Sequence, residues 1–469
     1  MRRTKIVATL GPKTRDAEAL REILEAGVDV VRLNFAHDDF SSHERTAREA
    51  RTQARKLGRA VGVLVDLPGP KMRTGPMRGD EVRLEAGGAF VLAPGADAGD
   101  ETRAFTSIAG LSSMVSEGDE IFLADGEIVL RVQKVEDGEV HTEIVRGGTL
   151  RSRKGLHLPQ AERHIEAFTK ADEAALEQAV TLEADLVGLS FVRDADDVRR
   201  AKAALPKRGP KPLIVAKIET RSALDHLTEV VEEADVVMVA RGDLGIQMPL
   251  RRVPLLQKEI IRACNEAGTP VITATELLGS MTHSPIPTRA EVTDIANALL
   301  DGTDAVMLSE ETAVGEYPAH SVRTLAEIAE SAESWPREHA SPDRRESRDD
   351  RVSWAVAHAA VAAAEDLNVA AILCPTRSGA TARRVAGFRP PMPIIGLSPR
   401  RDTLGSLMIY WGVVALHMPE VTEEHEEISK AVDAARAAGL IHPGQLVCVV
   451  AGAPGPRAGG TDFVRIVRV

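Results

Sequence analysis

Lys217 and Glu219 stand two residues apart in LIVAKIE at the end of a short apolar run, and Asp243 stands at the end of another, DVVMVARGD. In extended chain a spacing of two puts both side chains on the same face. Two carboxylates on neighbouring strands suit Mg2+, or Mn2+ in its place, since such an ion takes few protein ligands and keeps its other positions for water and substrate oxygens. A lysine beside them can neutralise charge on a phosphoryl group in flight, the main demand of that transfer. An isolated KIE would carry little weight, because structural Lys and Glu ion pairs are common. The elements that hold these residues decide the matter.

Eight apolar runs end in polar or charged residues: KIVATLGPK, DVVRLN, VGVLVD, DLVGLS, LIVAKIE, DVVMVARGD, PVITATE and DAVMLSEE. Most are separated by amphipathic stretches such as TRDAEALREILEAG and DADDVRRAKAALP, so strand and helix alternate. Thr169 with Asp172 and Thr288 with Glu291 carry the spacing of capping boxes. The pattern predicts an α/β fold built on a (β/α)8 TIM barrel with its active site at the C-terminal ends of the strands; a doubly wound sheet is the alternative. Lys217, Glu219 and Asp243 then share the barrel mouth.

The third and fourth runs are about a hundred residues apart. VRLEA, EIFLAD, EIVLRVQKV and EVHTEIV alternate apolar with polar residues between turn signals, which predicts an inserted small β-domain. SWPREHASPDRRESRDDR reads as a linker to a C-terminal α/β domain. The expected limits are 1–71 and 158–335 for the barrel, 72–157 for the insert and 350–469 for the last domain.

At 469 residues the chain exceeds one core, and a formal charge of −12 opposes binding to nucleic acid or an anionic membrane. Cys264, Cys374 and Cys448 are far apart and form no CxxC pair, which fits a reducing, cytoplasmic setting. Lys13 and Arg15 interrupt the first apolar run, so it does not read as a signal segment, and no run approaches a membrane span. His283 and His320 have no ligand spacing and receive no role.

RLNFAH, GPKMRT, KGLHLP, AKIE, MVARGDLG, VITAT and PTRAEVTDIANALLDGTDAVMLSEETAVGEYP resemble, in order, the motifs of the pyruvate kinase family. The resemblance implies a magnesium-dependent glycolytic enzyme that moves the phosphoryl group of phosphoenolpyruvate to ADP, giving pyruvate and ATP, and a homotetramer. It implies that Lys217 stabilises the group in transfer, that Glu219 and Asp243 hold the divalent ion, and that Arg32 and Arg73 contact phosphate oxygens. The backbone at Gly242 and Asp243, with Thr275, would take the substrate carboxylate, and Thr275 would relay a proton to the enolate. Asn34, His37, Arg73 and Lys154 fall at nucleotide positions; the resemblance makes the insert a small β-barrel placed as a lid, with Pro70 at its hinge.

Many family members bind K+ through motifs NFSH and DTKGPE, where this chain has NFAH and DLPGPK. Ala36 lacks the hydroxyl, Leu67 replaces the threonine, and Lys71 puts an ammonium where those enzymes have glutamate. Asn34, Asp66 and Lys71 then form the remnant of the monovalent site, and K+ is not expected to be required. Glu276, Glu310 and His157 also depart from the family pattern. In the third domain Thr376, Arg377, Ser378 and Thr381, completed by Arg457, resemble a loop for a phosphorylated effector; an ordinary N-cap is the alternative. Two rival functions are a magnesium-dependent 2-oxo acid lyase and a weakened relative that senses phosphometabolites.

Overall fold

The computed structural model describes residues 2–70, 72–106, 108, 110–124, 126–160, 165–335, 351–421, 424–452 and 460–469. All eight apolar runs are strands: Lys5–Thr9, Val30–Asn34, Gly62–Asp66, Leu186–Leu189, Leu213–Ile218, Val236–Ala240, Val271–Ala274 and Ala305–Leu308. They pair in parallel around a closed barrel, the last beside the first. Nearly every strand residue is buried, because side chains of both faces meet apolar surface, and that is why the runs do not alternate. Both capping boxes form, with Thr169 and Thr288 each accepting from the third residue of its helix while Asp172 and Glu291 reach back.

The insert builds a six-stranded sheet and a separate pair, Glu81–Leu84 with Gly148–Arg151. Phe90, Leu92, Ile121, Leu130, Val140 and Ile144 belong to its own core. The four segments whose alternation marked them as strands lie in these sheets, and Ala89–Pro94 and Arg103–Thr106 join them. The last domain carries five strands, with Phe463–Arg468 antiparallel at one edge.

That domain closes the barrel floor. Val7, Val30, Leu64, Leu186, Val215, Val236 and Ile272 share one apolar cluster with Leu407, Met408, Tyr410 and Val413. Lys5 Nζ donates to Val413 O at 2.6 Å, and Arg389 pairs with Asp304 at 2.9 Å. The helix Arg401–Leu407 lies so close to Asp185 that a Cβ on Gly405 would sit 2.0 Å from Asp185 Oδ1, which only glycine permits.

Burial at that seam pushes the Asp185 carboxyl up to about 7; Arg51 at 3.6 Å and the Val63 N–H at 2.8 Å oppose the shift, and Asp402 adds to it. The folded chain therefore keeps a proton that the unfolded chain releases, and the stability this contributes is lost as pH rises from the ordinary carboxylate range to about 7. Asp185→Asn carries no charge at any pH. Relative to wild type its melting temperature is expected to improve by several degrees between about pH 5 and about pH 8. A difference independent of pH in thermal melts would contradict this.

Candidate active site

The residues at the C-terminal strand ends converge on one buried ionic cluster. Lys217, on the fifth barrel strand, places Nζ 2.9 Å from Glu219 Oε1, 3.3 Å from Asp66 Oδ2 and 3.0 Å from Ser190 Oγ. Arg32, on the second strand, donates Nε to Asp66 Oδ2 at 3.1 Å, adds a second bond there through Nη2, and reaches Thr9 Oγ1 at 3.1 Å. Gly188 leaves room for this arrangement, since a Cβ there would lie 2.7 Å from Asp66 Oδ1.

Charge in the cluster is strongly coupled. Burial opposes the Lys217 ammonium, but Asp66 and Glu219 outweigh it and hold its pKa above the usual lysine value, so it stays charged. Burial also opposes ionisation of Asp66, yet Lys217 and Arg32 hold that carboxyl below its usual range. Glu219 differs: burial and the charge of Asp243 push it up to about 7, despite Lys217 and an N–H bond from Phe191 at 2.7 Å. Its Oε1 faces the ammonium but accepts no directed hydrogen bond. Asp243 thus acts on Glu219 in the same direction as burial, and a cation held by the two carboxylates would oppose that effect. Among the described residues no three metal-ligating side chains gather, so a cation here would rely on these two carboxylates and on substrate or water oxygens.

A cavity of about 430 Å³ opens between the mouth and the insert, lined among others by His37, Pro70, Arg73, Lys154, His157, Asp243 and Glu310. Arg32, Lys217, Glu219 and Thr275 are not part of this wall; Phe191 and Thr220, which are, connect it to the cluster. Arg73 donates to Arg153 O at 3.1 Å from the edge of the insert. Asn34 stands apart from the cavity, its Oδ1 accepting from Ala36 N at 3.0 Å. Lys71 and Arg457 lie outside the described residues.

Thr275 Oγ1 accepts from Gly242 N at 2.8 Å and donates to Ala274 O at 2.7 Å, which joins the two segments that the motifs pair. Thr275 and Glu276 both have positive φ, 65° and 54°, a conformation that costs each residue about 1 kcal/mol or more. Buried Arg241 holds them there, donating to the carbonyls of Ala274, Thr275 and Glu276. Sequence reasoning passed over Arg241 and Ser190, although both directly follow barrel strands, in ARGDLG and DLVGLS.

In the last domain Thr376 Oγ1 accepts from Gly379 N at 3.0 Å, before the helix Ala380–Gly387. Thr381 is buried with its hydroxyl 2.9 Å from that of Thr461, and Arg377 pairs with Glu420 at 3.2 Å. Ser378 is exposed in the same loop.

A TIM barrel with a β insert over its mouth, and with lysine, arginine and two carboxylates below a polar cavity, defines the class of barrel enzymes equipped to handle phosphoryl groups. Comparison with known proteins narrows the class. The pyruvate kinase barrel domain matches residues 1–322 and the pyruvate kinase alpha/beta domain residues 354–467. Pyruvate kinase of Thermococcus litoralis is 39% identical, over 100% of this chain and 98% of that protein. The Thermotoga maritima enzyme is 38% identical over 100% of both, and that of Geobacillus stearothermophilus 39% over 99% of this chain and 80% of its own length. The chain belongs to the pyruvate kinase family, and it is an enzyme.

Proposed function

We propose that this enzyme transfers the phosphoryl group of phosphoenolpyruvate to ADP as the pyruvate-forming step of glycolysis, with Mg2+ and without K+. The observation that carries the reading is the Lys217 ammonium, kept charged in a buried cluster at the barrel mouth beside two further groups, Glu219 and Asp243, suited to a divalent ion.

Lys217 and Arg32 neutralise charge on the phosphoryl oxygens, with Arg73 reaching in from the insert. Glu219 and Asp243 would hold Mg2+, which when bound supplies positive charge to substrate oxygens. Transfer breaks the bond between phosphorus and the enol oxygen and forms one to the terminal oxygen of ADP, leaving the enolate of pyruvate. Thr275 relays the proton that the enolate carbon takes up, while the backbone at Gly242 and Asp243, with Thr275, binds the carboxylate. His37, Arg73 and Lys154 face the nucleotide. The insert closes over the cavity and shields the donor from water.

Several observations support independence from K+. Asn34 Oδ1 already accepts from Ala36 N, residue 36 has no hydroxyl, and Leu67 O already accepts from Ser190 Oγ at 3.0 Å. Two of the oxygens that would face a monovalent ion thus already accept a hydrogen bond and the hydroxyl at residue 36 is missing, while Asp66 Oδ1 has no hydrogen-bond partner among the described residues; Lys71 supplies a tethered charge in this reading. The loop of Thr376, Arg377, Ser378 and Thr381 belongs to this reading as the seat of a phosphorylated effector.

Chelation of divalent ions is expected to abolish pyruvate formation, and Mg2+ to restore it. Because Glu219 must lose its proton to hold the ion, apparent Mg2+ affinity is expected to fall up to about tenfold per pH unit below about 7. Activity titrated with Mg2+ at several pH values checks this. Affinity unchanged across that range would remove Glu219 from the ion site.

A further inference from the structure

We propose that Ser190 is a positioning residue for phosphoryl transfer: its hydroxyl fixes the direction in which the Lys217 ammonium points. The inference rests on the reading that Lys217 neutralises the group in flight.

Ser190 follows the fourth barrel strand and is 4% exposed. Its Oγ lies 3.0 Å from Leu67 O and 3.0 Å from Lys217 Nζ. A carbonyl only accepts and an ammonium only donates, so the serine proton must go to Leu67 and a lone pair must face Lys217. The bonds therefore run one way, from Lys217 to Ser190 to Leu67.

The other two groups around Nζ are carboxylates, Asp66 Oδ2 at 3.3 Å and Glu219 Oε1 at 2.9 Å. Both attract the ammonium over a wide range of directions, because charge attraction depends weakly on angle. Ser190 is the neutral, directional third point, and with it the ammonium has a set orientation. Without it the ammonium is free to settle between the carboxylates, away from where it must meet a phosphoryl oxygen.

The same hydroxyl ties Lys217 to the loop that leads into the insert. Leu67 precedes Pro68 and Pro70, both in the cavity wall. Gly69, at φ +63°, crosses Ser190 so closely that a Cβ would come within 2.8 Å of the serine Cβ. Ser190 thus sets the ammonium against the segment through which the insert joins the barrel.

The test compares wild type, Ser190→Ala, Ser190→Thr and Lys217→Met, each with Mg2+, phosphoenolpyruvate and ADP, by steady-state and single-turnover rates and by thermal melting. A hydrogen bond to a charged group accounts for roughly a tenfold to hundredfold change in rate. Ser190→Ala is expected to lose that much in kcat and in single-turnover rate, with both KM values within about threefold of wild type and little change in melting temperature. Ser190→Thr keeps the hydroxyl and is expected to recover most of the rate. A Ser190→Ala enzyme within about twofold of wild type, or a loss that threonine does not recover, overturns the proposal. If Lys217→Met itself keeps its rate, the role given to Lys217 fails, an outcome separate from any result at Ser190.

Discussion

Lys217→Met is expected to lower kcat by about three orders of magnitude or more, the scale on which losing a preorganised charge-stabilising group slows a transfer. Methionine preserves most of the length and apolar bulk but removes an ammonium in contact with both Asp66 and Glu219. It also takes the ion-pair partner from buried Glu219, while Asp66 keeps Arg32, at a cost of about 3–5 kcal/mol. Melting temperature must therefore be measured beside rate, and rates compared well below it. Lys217→Arg keeps the charge on a wider, planar group and is expected to fall between the two. A folded Lys217→Met enzyme within about tenfold of wild type would mean that the buried ammonium is structural only.

Full turnover without K+ is the second large effect expected. In buffer whose only monovalent cation is tetramethylammonium, the wild-type rate is expected to change less than about twofold on adding K+, because Lys71 brings the positive charge with the chain. Lys71→Glu reverses that charge. It is expected to lose on the order of a hundredfold in rate without K+ and to regain part of it when K+ is added. Rates against K+ concentration for both proteins check this. A wild-type enzyme that is silent until K+ is added would place an ion where the ammonium was assigned.

Much of the fold was legible because the physics of a parallel barrel is local. Strands such as Val236–Ala240 are buried on both faces and appear as apolar runs, and Thr169 with Asp172 announces a helix start. The pairing of Lys217 with Glu219 was legible for the same reason, a period of two on one strand. Contacts between distant segments were not. Asp66 joins Arg32 to Lys217 across 34 and 151 residues of sequence, and no spacing encodes that. Arg241 becomes meaningful only once Thr275 and Glu276 are seen at positive φ. Ser190 reads as an ordinary strand end until Leu67 and Lys217 are brought to either side of it. Gly405 likewise carries no signal in sequence, since its reason is Asp185 on another domain.

Phosphorus NMR of the enzyme with phosphoenolpyruvate, ADP and Mg2+, in buffer free of K+, follows the phosphoryl group from donor to acceptor. The phosphoenolpyruvate resonance is expected to fall while the β and γ resonances of ATP rise in equal measure, and neither is expected to move without ADP. Persistence of phosphoenolpyruvate, or its conversion to inorganic phosphate without ATP, would contradict the proposed transfer.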